Sequence, residues 1–178
     1  MAAVLLLFAT LVRASDAAPA SPELKQFVKA QFGEHFTPEP MPGSTTVLIT
    51  GDLDGDGQED AVIVTKSKDA LADQIKFNYR VIDPLDAFYG WGKVEDTAQF
   101  ASADPDHARV LLVIHSWRSP TPKAKFAVIN VPFTALSIKS ATLKKKQRTV
   151  ISASDYDTMK SYLFWDGKKW KYEPAPID

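Results

Sequence analysis

Hydrophobic positions along the chain change period once. Ser21-Pro22-Glu23 supplies a capping hydroxyl, a proline for the first turn and an acid near the positive end of a helix dipole. Leu24, Phe27, Val28, Gln31 and Phe32 follow at helical spacing. The pattern predicts a helix with one buried stripe, stopped at Gly33 and kept from resuming by Pro38, Pro40 and Pro42. Beyond Gly43 the pattern becomes strand-like. Residues 45–50 (TTVLIT), 61–65 (AVIVT), 76–82 (KFNYRVI), 110–115 (VLLVIH), 125–131 (KFAVINV) and 149–152 (TVIS) are short, apolar or alternating, and rich in β-branched residues. The unbroken run at 110–115 predicts a central strand. In residues 161–172 (SYLFWDGKKWKY), Asp166-Gly167 between aromatic-rich runs predicts a C-terminal β-hairpin. Residues 68–74 and 84–88 are candidates for short helices. Together these elements predict an α+β fold: one N-terminal helix followed by a mainly antiparallel β-sheet of six to eight strands, in a single domain spanning 21–178.

Residues 2–12 (AAVLLLFATLV) form an uncharged apolar run, too short for a bilayer span of about 20 residues but suited to the core of a signal peptide. Small residues follow, so residues 1–20 read as a signal peptide cleaved after Ala14 or Ala20. No Lys or Arg precedes the run, and Arg13 lies on its far side. The expectation is a secreted or periplasmic protein with no membrane span in its mature form. The 178 residues contain no cysteine, which excludes disulfides, thiolate metal sites, cysteine nucleophiles and lipid attachment through cysteine. Lys plus Arg is 21 and Asp plus Glu is 22, a balance that argues against a nucleic-acid partner. The balance hides a polarity. Residues 34–106 carry 15 acids and 5 bases, and residues 139–171 carry 9 bases and 3 acids.

The chemistry concentrates in residues 51–64, GDLDGDGQEDAVIV. Asp52, Asp54, Asp56 and Asp60 stand at loop positions 1, 3, 5 and 9. Gln58 at position 7 would lend its backbone carbonyl, and Gly57 permits the sharp turn. Carboxylates crowded this closely repel one another unless a cation sits among them. An all-oxygen set suits Ca²⁺, whereas Mg²⁺ demands stricter geometry and Zn²⁺ prefers His and Cys. Position 12 is Ile63, where an EF-hand carries a bidentate Glu, and it lies in a strand-like run. Gly51, Asp52, Asp54, Asp56, Gly57 and Asp60, followed by the apolar run 61–64, resemble the FG-GAP or VCBS-type repeat of integrin α-chain propellers and many bacterial surface proteins. The resemblance covers about residues 45–65. It implies a Ca²⁺-binding loop between two strands, with Asp52, Asp54, Asp56, Gln58 and Asp60 as ligands. It does not imply a propeller, which needs several such blades. Without the Glu at position 12, affinity is expected on the order of 10⁻⁴–10⁻³ M.

Other residues carry weaker signals. His115 ends an apolar run beside Ser116, but no G-x-S-x-G elbow surrounds that serine, and packing explains the histidine. His107 with Asp104 and Asp106 would form a second metal site or, more in keeping with the pattern, a surface turn; Asp104 with Asp106, or Asp155 with Asp157, would complete the Ca²⁺ shell or simply sit in surface loops. Residues 88–92 (FYGWG) would stack on sugars or anchor a turn, and residues 144–148 (KKKQR) would bind an anionic surface polymer or guard a strand edge. The function these signals favour is an exported calcium-binding protein, a non-catalytic binding or accessory module of the cell envelope with an envelope protein or polysaccharide as partner. A Ca²⁺-stabilised secreted hydrolase and an inhibitor of a secreted enzyme are the alternatives.

Overall fold

A computed structural model of the chain describes residues 20–40, 44–90, 92–98, 109–155 and 159–175. The leader and its cleavage after Ala14, together with Trp91, Asp104, Asp106, His107 and Asp157, lie outside the described residues.

Helix α1 (Pro22–Phe32) begins where the Ser21 hydroxyl accepts the Leu24 N–H, and it ends at Gly33, whose N–H reaches the Lys29 carbonyl. Gly33 has φ +92°, and a Cβ there would stand 2.7 Å from the Phe77 ring. Both the backbone conformation and the space therefore require glycine.

The chain then builds two sheets, not one. In the first, β1 (Phe36–Pro38) and β2 (Leu48–Gly51) both pair with the same side of β3 (Asp60–Ser67). Strand β3 pairs with β5 (Arg109–His115), β5 with β6 (Ala124–Val128), and β6 in parallel with β4 (Arg80–Ile82). The second sheet is β10 (Trp170–Pro174), β9 (Met159–Trp165), β8 (Lys146–Asp155) and β7 (Ala135–Leu143), all antiparallel.

Alternation along β3 and β5 explains the layering. Ile63, Leu112 and Ile114 face α1, where Val28 and Phe32 close the cluster. Val62, Val64, Leu111 and Val113 face the second sheet and meet Ile151, Leu163 and Trp170. The first sheet is thus covered on both faces, which is why its central strands read as unbroken apolar runs. The fold is a mixed α+β arrangement of one helix layer and two packed, unclosed sheets.

Three expectations change. The single sheet of six to eight strands becomes two sheets with ten strands among the described residues. Pattern-reading misses two strands: β1, three residues beside the prolines that bar a helix, and β7, ALSIKSATL, whose small and polar residues lie mostly exposed at a sheet edge. Its turn into β8 also carries no Asn or Gly. Lys144 and Lys145 take φ +48° and +66°, which a two-residue hairpin turn requires. Residues 76–82 do not form one strand. Gln74–Phe77 is a helical turn (α2), Asn78 breaks it at φ +51°, and only Arg80–Ile82 extends. The proposed helix at 68–74 is instead an Asp69 turn, its carboxylate accepting the Leu71 and Ala72 N–H groups. Short helices α3 (Pro84–Tyr89) and α4 (Val94–Thr97) lie between β4 and β5.

Candidate metal centre

The loop between β2 and β3 is shaped by its own carboxylates. Gly55 and Gly57 have φ +78° and +82°, and a Cβ at either would meet nothing within 4 Å, so conformation alone calls for glycine. The resulting turns aim backbone N–H groups at the first aspartate. Asp52 accepts from Gly55 (2.8 Å), Asp56 (3.2 Å) and Gly57 (3.1 Å). Asp54 accepts from Asp56 N–H, and Asp56 from Gln58 N–H.

Asp60 ties the loop to the sheet. Its residue is fully buried, and its two carboxylate oxygens accept the N–H groups of Leu53 and Ser116, each at 2.8 Å. Leu53 lies inside the loop and Ser116 follows β5, so one carboxylate holds loop and central strand together. Burial pushes the Asp60 carboxyl above its ordinary range, and the Asp54 charge adds to this, while the Ser116 and Leu53 hydrogen bonds and His115 work against it.

One carboxylate oxygen each from Asp52, Asp54 and Asp60 lie within 4.8 Å of one another. Oxygens bound to a common Ca²⁺ at about 2.3–2.6 Å can stand at most about 4.6–5.2 Å apart, so the three fit that ion. Asp56 is not part of this group. It turns toward Lys123, whose ammonium lies 2.7 Å from Asp54 Oδ2 and 2.9 Å from Asp56 Oδ2. Those two contacts hold Lys123 above its ordinary range, and the hydrogen bonds that Asp56 accepts from Lys123 and from the Gln58 N–H hold its carboxyl below its own. Gln58 is exposed, and its N–H is spent on Asp56.

The neighbours of the loop come from β5 and the connection to β6. His115 is buried at the end of β5, its Nδ1 3.2 Å from Asp54 Oδ2, its ring boxed by Phe126, Trp165 and Trp170 at centroid distances of 5.3–5.8 Å. Glu59 faces the other way. It accepts from Thr50 Oγ1 (3.0 Å), Trp117 Nε1 (2.9 Å) and Arg118 Nε (2.5 Å). Burial opposes its ionisation, but the hydrogen bonds from Arg118, Trp117 and Thr50 win and hold its carboxyl below the usual value. The spacing of the aspartates marks the loop in the sequence. Nothing in that spacing marks Lys123, His115 or Ser116 as its neighbours, because the pairing of β3 with β5 brings them there.

No protein-family model matches the chain, and no curated protein or solved structure matches it either.

Proposed function

We propose that this chain is an exported calcium-binding protein, a non-catalytic accessory or binding module of the cell envelope whose β2–β3 loop holds one structural Ca²⁺. The observation that carries the reading is the convergence of Asp52, Asp54 and Asp60 within a span that fits a single Ca²⁺. Asp52 and Asp54 come from the loop and Asp60 from the start of β3, so a cation held by all three would lock the loop onto the sheet. Asp56 and the Gln58 carbonyl are the further oxygens that the loop motif assigns to the same ion. The cation would supply charge compensation for carboxylates that otherwise repel, one of them buried. The contacts of Lys123 support this reading, since the loop already draws a cationic group to Asp54 and Asp56. A chain without cysteine gains from such a clip, because an ion that binds only the folded state stabilises it by mass action.

Thermal melts test the proposal. At 10 mM Ca²⁺ and a dissociation constant near 1 mM, linkage gives about 1.4 kcal/mol, or roughly 3–6 °C over the melt in EDTA. Asp52→Ala should erase the difference. Superimposable melts of the parent protein in EDTA and Ca²⁺ would refute the site.

A further inference from the structure

The second sheet carries a groove of about 400 Å³, within the range of ligand-binding clefts, lined by Pro84 and Phe88 of α3, by Lys171, Tyr172, Glu173 and Pro174 of β10, and by Lys144 and Lys169. We propose that this groove binds an acidic polysaccharide, its lysines meeting the sugar's anionic groups and Phe88 stacking on a sugar face. The inference rests on the reading of the chain as an envelope binding module, and not on the cation.

Two features that lie 56 residues apart in sequence meet here. Phe88 and Tyr89 are large apolar residues left half-exposed, at 48% and 51%, on a helix that packs on β10. Phe88 is not loose. Its ring meets Tyr172 edge-on at 5.7 Å and Tyr89 at 4.8 Å, and Phe88 and Tyr172 line the groove together. An exposed aromatic held in place by other aromatics is a platform for a ring, and it costs little entropy to order.

The charge around it is lopsided. Among the groove's own residues, Lys144 pairs with Glu173, and Lys171 lies 3.5 Å from Asp166. Lys169 is exposed, and Lys145, Lys146 and Lys168 are exposed on the same two turns. Antiparallel pairing places the β7–β8 and β9–β10 turns at one end of the second sheet, which gathers these lysines. The β7–β8 turn adds a separate argument. Lys144 and Lys145 hold positive φ, where Asn-Gly would sit without strain. Backbone strain kept for the sake of a side chain points to a use for that side chain. Lysine rather than arginine suits anionic groups spread along a flexible polymer, which are met as point charges rather than as planar forks. The balanced net charge of the chain disfavours nucleic acid as the polyanion.

The test is a calorimetric titration in low-salt buffer with oligogalacturonate as the acidic glycan, a neutral maltooligosaccharide and oligothymidylate. It is run in EDTA and again in Ca²⁺, on variants whose fold is checked by circular dichroism. The parent protein should bind oligogalacturonate at least about tenfold more tightly than either other probe. Lys169→Ala with Lys171→Ala should weaken it about tenfold, and Phe88→Ala, which leaves the charge unchanged, about fivefold. Failure to bind oligogalacturonate, equal binding of oligothymidylate, or indifference to Phe88→Ala each overturns the proposal. The groove shares no residue with the aspartate loop. Lost glycan binding with a normal calcium response therefore condemns the groove alone, and the converse result condemns the cation site alone.

Discussion

Replacing Asp60 with alanine separates what the aspartate does for the fold from what it would do for a cation. The carboxylate is the acceptor for two N–H groups, Leu53 and Ser116, each at 2.8 Å in a residue with no solvent exposure. Alanine leaves both donors without a partner, at about 1–3 kcal/mol each, or about 2–6 kcal/mol together. One effect runs the other way. Burial raises the Asp60 carboxyl, so removing the charge relieves some desolvation, and the lower part of the range is expected, about 2–4 kcal/mol. For a chain of this size that lowers the melting temperature by roughly 4–16 °C, measured by circular dichroism in EDTA so that no cation contributes. Asp56→Ala is the companion variant. Asp56 is exposed, and its carboxylate accepts from the Gln58 N–H and from Lys123 without tying the loop to a buried strand. It should melt within about 2 °C of the parent in EDTA and still show a reduced Ca²⁺ response. If Asp60→Ala melts with the parent in EDTA, the carboxylate does not clamp loop to strand.

Other consequences are checked more simply. Lys123→Met removes the ammonium that occupies Asp54 and Asp56, so Ca²⁺ should bind about two- to fivefold more tightly by calorimetry. Glu59 is held below its ordinary value of 4.5, so its contribution to stability is complete above that value and is lost as pH falls through the lowered one. Urea melts between pH 6 and pH 3 should therefore show a shallower acid limb in Glu59→Gln than in the parent. Lys145→Gly relieves the positive φ in the β7–β8 turn and should stabilise the protein by about 1 kcal/mol, read as an increase in urea midpoint at constant slope.

What could be read from the chain depended on whether the signal was local. The Ser21 cap, the Gly33 stop and the Asp/Gly spacing of residues 52–60 act over a few residues, and they leave marks of that length in the sequence. The division into two sheets does not. It depends on β7, whose nine residues offer only Leu136, Ile138 and Leu143 as large apolar side chains and whose turn uses two lysines at positive φ. The helical turn at Gln74–Phe77 escaped for a similar reason. Phe77, Tyr79 and Val81 alternate as a strand would, but Asn78 takes a left-handed conformation and Gln74 Oε1 accepts the Val81 N–H, which redirects the chain. Around the candidate metal centre the spacing marks Asp52, Asp54 and Asp60, which converge, and also Asp56, which turns to Lys123 instead. It does not mark their partners His115, Ser116 and Lys123, since they lie 55 or more residues from Asp60 and arrive through strand pairing.

Calorimetric titration of Ca²⁺ into chelator-stripped protein decides whether the β2–β3 loop holds the proposed ion. The expected result is one ion per chain, a dissociation constant on the order of 10⁻⁴–10⁻³ M, weaker binding of Mg²⁺, and no binding by Asp52→Ala. No heat of binding at millimolar Ca²⁺, or an equal response from Asp52→Ala, would contradict it.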